Sequence, residues 1–227
     1  MEEIFSYQEF TAMMKKYNFQ VITEVVPSKK KILSDEDDLY VSLLMSGVTA
    51  GCLKENPKEI LTIIGKGYFI GYHKVLDHEP VLVEYKALSD CLIYKYRKED
   101  VQYALSFSEN YGFQYFIMKS VCLAVYNKAM LMHQPLHHYL AAVFKTIVDI
   151  VVGEEIEDIC VLPKGITTSV IMSYSTLSRS SFYTQLLELR QAGIIEKNNN
   201  CWSVDMRSIH QLLEEAKTEG EKAVVHS

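Results

Sequence analysis

The sequence predicts an α+β fold in three parts: a β-roll over residues 1–108, a long helix over 109–135 and a winged helix-turn-helix over 136–227. Three observations predict it. Short β-rich runs alternate with turn signals from Phe19 to Tyr96. An apolar stripe with the period of a coiled coil runs from Tyr111 to Met132. The stretch from Ile166 to Ile195 spells two short helices, a tight turn and the start of a strand.

Ser6-Tyr7-Gln8-Glu9 has the spacing of a capping box, and Phe10, Met13, Met14 and Tyr17 follow at helical period, so the chain opens with a short amphipathic helix. Strands are expected at Val21 to Val26, Tyr40 to Met45, Ile60 to Ile64, Val81 to Tyr85 and Leu92 to Tyr96. Pro27-Ser28, Ser46-Gly47, Asn56-Pro57, Gly65-Lys66-Gly67, His78-Glu79-Pro80 and Ser89-Asp90 mark the turns between them. Gly47, Gly65, Gly67 and Gly71 are expected at positive φ or at close backbone approaches. Lys98 to Leu105 reads as a short helix.

Tyr111, Tyr115, Met118, Cys122, Val125, Ala129 and Met132 then step by alternating fours and threes, an a/d heptad stripe. Such a stripe suits a helix paired with its own copy, and it equally suits a helix lying on its own roll. In the paired case Cys122 faces its symmetry mate. Pro135 ends this helix, and Leu136, Leu140, Phe144, Ile147, Val148 and Val151 form another, closed by Gly153.

In the last part Thr167 or Thr168 caps a helix with Val170, Ile171 and Tyr174 on its apolar side. Ser178 caps a second helix whose inner face is Phe182, Leu186 and Leu189. Its outer face carries Arg179, Ser180, Ser181 and Thr184, donors suited to base edges and phosphates in a major groove. Thr167, Thr168 and Ser169 at the start of the first helix are expected to bind DNA, and Lys164 and Lys197 to touch phosphate. Ile194 to Lys197, three asparagines at 198–200, and Cys201 to Val204 read as a hairpin wing. The tail after Glu214 is polar and expected to fray.

Composition narrows the function classes. The chain has 227 residues, an apolar share of 48% and a formal net charge of −6, which describes a globular protein that does not coat nucleic acid. From Ile159 to Leu213 five basic residues stand against three acidic ones, while acidic runs at Glu154 to Asp158 and Glu214 to Glu221 flank that window. A DNA-facing module this weakly basic implies low intrinsic affinity. No secretory signal or membrane-length apolar run is visible, so a cytoplasmic protein with no membrane partner is expected. Cys52, Cys91, Cys122, Cys160 and Cys201 are too scattered for a disulfide framework or a Cys-x-x-Cys metal site.

In order and length these parts resemble the superfamily of the cyclic-AMP receptor protein and Fnr, over essentially the whole chain. Gly65-Lys66-Gly67-Tyr68-Phe69-Ile70-Gly71 is similar to the family's Gly-x-Gly-x-Phe-x-Gly turn, and Ile166 to Ile195 is similar without a gap to its helix-turn-helix. The resemblance implies a cyclic-nucleotide-binding-like roll as sensor and a helix that makes a homodimer. It further implies a reader of double-stranded, pseudo-palindromic DNA, with RNA polymerase as a further partner. Arg179 matches the arginine that family members use on a guanine. Ser180-Ser181 and the aromatic richness look most like the PrfA-type regulators.

The departures bear on the effector. Cyclic-nucleotide binders of the family follow the glycine turn with a glutamate for the ribose and later place an Arg-Ser pair on the phosphate. Tyr72 and Val81-Leu82 stand there instead, and apolar groups do not neutralise a buried phosphate. Neither cyclic AMP nor cyclic GMP is therefore expected to bind. The N-terminal cysteine cluster of the Fnr type is missing, so no iron–sulfur cluster is expected. In the helix-turn-helix, Ser180 and Thr184 replace a glutamate and a second arginine used for base reading by the cyclic-AMP members, and Met172 and Thr176 replace small residues at the tight turn.

Tyr68, Gly71, Tyr72 and Tyr85 are candidates to line a pocket for a small organic or peptide effector; the same side chains also suit the core of a roll. His73 and His78, and His133, His137 and His138 around Pro135, read as structural polar residues, since Pro135 breaks the one i, i+4 pair. No nucleophile elbow, Walker loop or paired-carboxylate arrangement points to an enzyme. The rival reading is a dimeric, effector-binding sensor whose DNA-reading function has degenerated, suggested by the thin basic charge and the lost arginine.

Overall fold

The computed structural model describes residues 5–32, 39–72, 83–153 and 157–225. Val81, Leu82, His73 and His78 lie outside them, as do three residues of the acidic run, 154–156. The chain divides into two compact units, residues 1–57 with 61–126 and residues 58–60 with 127–227. The long helix contributes to both, through Tyr126 to the first and from Asn127 to the second.

The first unit opens with α1 (Tyr7–Lys16). Its capping box is formed: the Ser6 hydroxyl accepts from the Glu9 N–H, and the Glu9 carboxylate accepts from the Ser6 N–H. Among the described residues seven strands follow: β1 (Ile22–Val26), β2 (Tyr40–Ser46), β3 (Thr49–Leu53), β4 (Ile60–Ile64), β5 (Phe69–Ile70), β6 (Val83–Ala87) and β7 (Cys91–Arg97). They make a four-stranded sheet in the order β1-β7-β2-β5 and a three-stranded sheet in the order β4-β3-β6. Strands β3 and β5 had not been expected. Thr-Ala-Gly-Cys-Leu contains a glycine and no run of β-branched residues, and Phe69-Ile70 lies inside a glycine turn, so both lack the usual strand texture.

Alternation along the strands builds two cores. Val41, Leu43 and Tyr96 face a helical layer, where Phe10 and Met14 of α1, Val101 and Ala104 of α2 (Lys98–Leu105), and Phe113, Phe116 and Ile117 of α3 (Tyr111–Met132) are buried. Leu44, Cys91 and Ile93 face the other way and meet Ile64, Ala87, Val26, Ile32 and Ile70 between the sheets. Burying each such large apolar side chain stabilises the unit by about 1.5–3 kcal/mol. Gly47, Gly67 and Gly71 have positive φ; Gly65 does not, and is simply buried. At Gly67 (φ +88°) an added Cβ would stand 2.8 Å from the Tyr7 ring, so α1 closes directly over the glycine turn.

The second unit is built around α4 (Tyr139–Val151), which packs against α5 (Thr168–Ser175), α6 (Arg179–Gln191) and α7 (Met206–Val225). Leu136 to His138 form a 3-10 turn, so the regular helix starts three residues later than the apolar pattern from Leu136 suggested. Strands β8 (Ile159–Val161), β9 (Ile195–Asn198) and β10 (Cys201–Asp205) form an antiparallel sheet in the order β8-β10-β9. The expected hairpin is therefore a three-stranded wing; β8 had been missed because three residues carry too little pattern. Asn199 (φ 50°) and Asn200 (φ 65°) both take the left-handed conformation that a tight hairpin turn requires. The tail does not end in a frayed coil after Glu214, since α7 continues to Val225. No helix among the described residues is long and apolar enough to cross a membrane.

Candidate nucleic-acid interface

Both helices of the helix-turn-helix start as their capping residues dictate. Thr167, rather than Thr168, caps α5, its hydroxyl accepting from the Val170 N–H at 3.3 Å. The Ser178 hydroxyl accepts from the Ser181 N–H at 3.2 Å and caps α6. Its oxygen also lies 3.1 Å from that of Ser180 and 2.8 Å from that of Ser181, so three hydroxyls cluster at the first turn of α6. Phe182, Leu186 and Leu189 are buried as expected. Gln185, on the same inner side, is also buried, and its side-chain carbonyl accepts from the Leu140 N–H at 3.0 Å, satisfying an open donor at the start of α4.

Between the helices Thr176 takes the left-handed conformation, φ 58° and ψ 9°, at the C-cap of α5. A β-branched residue is strained there, where glycine is usual. Thr176→Gly is expected to raise the stability of this unit by about 0.5–1 kcal/mol, measured by urea unfolding. Unchanged or lowered stability would show that the Thr176 hydroxyl, 2.6 Å from the Ser175 carbonyl, compensates the strain.

Tyr174, on the inner face of α5, is almost fully buried. Burial, with Tyr139 nearby, pushes its phenol from 10 up to about 12. Lys128 donates to the Tyr174 carbonyl at 2.5 Å and lies 4.3 Å from the centre of its ring, and burial lowers the Lys128 ammonium. A phenol whose folded pKa is raised stabilises the fold fully below its unfolded value and loses that contribution as pH rises through the folded one. Tyr174→Phe is therefore expected to remove part of the loss of stability between pH 10 and about 12, seen by thermal melts across that range.

The outward side carries the residues expected to meet nucleic acid. Arg179, Ser180 and Thr184 of α6 are exposed, Ser181 half-exposed, and Thr167 and Ser169 stand exposed at the start of α5 with Thr168 half-exposed. The wing joins them, since Lys197 donates to the Thr168 hydroxyl at 3.0 Å and lies over the Trp202 ring at 5.1 Å. Among the described residues Arg179 makes no ion pair; its guanidinium lies 5.9 Å from the centre of the Tyr183 ring. Tyr183 and Leu187, 45% and 54% exposed, continue the same outward strip. Sequence reading passed over both, although their i+4 and i+8 spacing from Arg179 places them there.

On the long helix Phe113, Phe116, Ile117 and Ser120 are buried, and the heptad stripe is turned away from them. Tyr115 is 70%, Met118 61% and Val125 67% exposed, and Tyr111, Cys122, Ala129 and Met132 are exposed as well. The candidate effector residues do not converge. Tyr68 and Tyr85 pack on the cluster between the sheets, Tyr72 packs on the cluster under the helices, and Gly71 is buried in the turn. Burial raises the phenols of Tyr72 and Tyr85. Among the described residues no group of three or more histidine, cysteine or acidic side chains is placed to hold a metal ion.

A two-sheet roll, a long helix and a winged helix-turn-helix are the architecture shared by cyclic-nucleotide-binding-domain proteins and regulators of the CRP/FNR type. No family model matches the chain, and no curated protein matches its sequence. Solved structures match its fold. A cyclic nucleotide-binding domain containing protein from Listeria monocytogenes is 18% identical, with a TM-score of 0.70 over 88% of this chain and 99% of that one. FixK2 from Bradyrhizobium japonicum is 12% identical, with a TM-score of 0.68 over 85% and 97%. A CRP-family transcriptional regulator from Thermus thermophilus is 14% identical, with a TM-score of 0.64 over 83% and 95%.

Proposed function

We propose that this chain is a homodimeric, sequence-specific DNA-binding regulator of transcription of the cyclic-AMP receptor protein/Fnr type, closest to its PrfA-type members, acting in the cytoplasm and without enzymatic activity. One observation carries the reading: Arg179, Ser180 and Thr184 stand exposed on one side of a capped helix, with Lys197 of the wing bonded to Thr168 beside it. Helices presented in this manner enter the major groove by their N-terminal turns while the flanking groups hold phosphate. The name of the Thermus thermophilus structure, a transcriptional regulator, supports the same reading. The exposed heptad stripe of α3 supplies the dimer, because a coiled pair buries in a partner what one chain leaves in water.

The roll takes an effector that is neither cyclic AMP nor cyclic GMP. Tyr72 packs under the helices where a ribose-binding glutamate would be needed, and side chains of both sheets meet between them. A small organic molecule or a peptide is the class of effector this reading leaves. The test is selection from a pool of random duplexes at graded salt. A pseudo-palindrome with half-sites about one helical turn apart is the expected product. Uniform affinity for every duplex, with cell extract present to supply effector, would favour the degenerate-sensor alternative.

A further inference from the structure

We infer that Tyr183 is a second base reader, selecting a thymine near the guanine that Arg179 contacts; this rests on the DNA-binding reading above. Tyr183 follows Arg179 by one helical turn, the residue is 45% exposed, and the Arg179 guanidinium lies 5.9 Å from its ring centre, so the two occupy adjacent places on one outward strip. Ser180 and Thr184 beside it are exposed hydroxyls suited to phosphate or polar base edges. The Tyr183 hydroxyl can bond phosphate as theirs can, but the face of its ring cannot, and it is the ring that Tyr183→Phe retains. In the major groove the apolar group a base presents is the C5-methyl of thymine, so an aromatic ring held against base edges gains by meeting it.

Spacing fixes where that thymine lies. Four residues of helix rise about 6 Å, and successive base pairs are spaced about 3.4 Å, which puts the methyl within about two base pairs of the guanine. The ring also backs the Arg179 guanidinium by a cation–π contact, which holds a long side chain in the groove-facing direction. Leu187 extends the strip by a further turn, beyond the N-terminal turns that reach base edges.

The experiment uses the full-length chain and the duplex it selects from a random pool. Replacing thymine by deoxyuridine within two base pairs of the guanine removes the methyl alone. Wild type and Tyr183→Phe are expected to lose about three- to fivefold in affinity per half-site, the size of one buried methyl. Tyr183→Ala is expected to bind thymine and deoxyuridine duplexes equally while still preferring guanine over other bases at the Arg179 position. Circular dichroism checks that this surface variant is folded. Equal loss on deoxyuridine substitution in wild type and Tyr183→Ala, no loss in either, or a selected site without thymine in that window would overturn the inference while leaving DNA reading intact. Failure of the wild type to select any sequence would overturn both.

Discussion

Replacing Met118 and Val125 together by glutamate is expected to turn the protein into monomers. Both side chains point away from the buried face of α3, at 61% and 67% exposure, so neither substitution disturbs the core formed by Phe113, Phe116 and Ile117. In a parallel pair about a two-fold axis the same positions meet their own copies. Four carboxylates would then lie in an apolar seam, each costing several kcal/mol when taken from water without a partner. Sedimentation at micromolar concentration should show wild type as a dimer and the double variant as a folded monomer. The monomer should also lose most of its affinity for a two-half-site duplex, since one reading helix engages one half-site. A wild type that sediments as a monomer would remove the seam from the account, and the exposed stripe would then need another partner.

Arg179→Ala is expected to cost about 1–3 kcal/mol per half-site at the selected sequence and to relax preference at one base pair there. The size follows from chemistry: a guanidinium fork donates to both acceptors of a guanine, and alanine leaves those acceptors unpaired. A dimer doubles the loss, because the two half-sites are read together. Lys197→Ala should behave differently. Its ammonium sits in the wing on Thr168, so its loss should weaken all sequences alike and reduce the salt slope by about one. Ser180 and Thr184 are shorter donors, and their replacement by alanine should fall between these two patterns.

Most of this layout was legible in residue patterns that have a direct physical cause. The capping box at Ser6, the cap at Ser178 and the asparagine turn of the wing each specify a local geometry, and the structure forms them all. What escaped the sequence depends on packing between distant segments. Strands β5 and β8 are too short to show a period and exist because neighbouring strands pair with them. Gln185 carries no mark of burial in the sequence, and its bond with the Leu140 N–H at the start of α4 accounts for it. The four candidate effector residues are aromatic or lie in one turn, yet Tyr68 packs on the cluster between the sheets and Tyr72 on the cluster under the helices, the chain turning between them at Gly71 (φ 77°). Tyr183 and Leu187 fall on the outward strip of α6 by helical spacing alone, but no polar donor marks that spacing in the sequence.

Binding to duplexes of altered half-site spacing tests the central claim most directly. A dimer that presents two α6 helices about one DNA turn apart should bind the selected sequence best and fall to half-site affinity when five base pairs are inserted between the halves, because the second half-site then faces the opposite side of the duplex. Affinity that is indifferent to this insertion, or equal for the selected and unrelated duplexes at every salt concentration, would contradict the account.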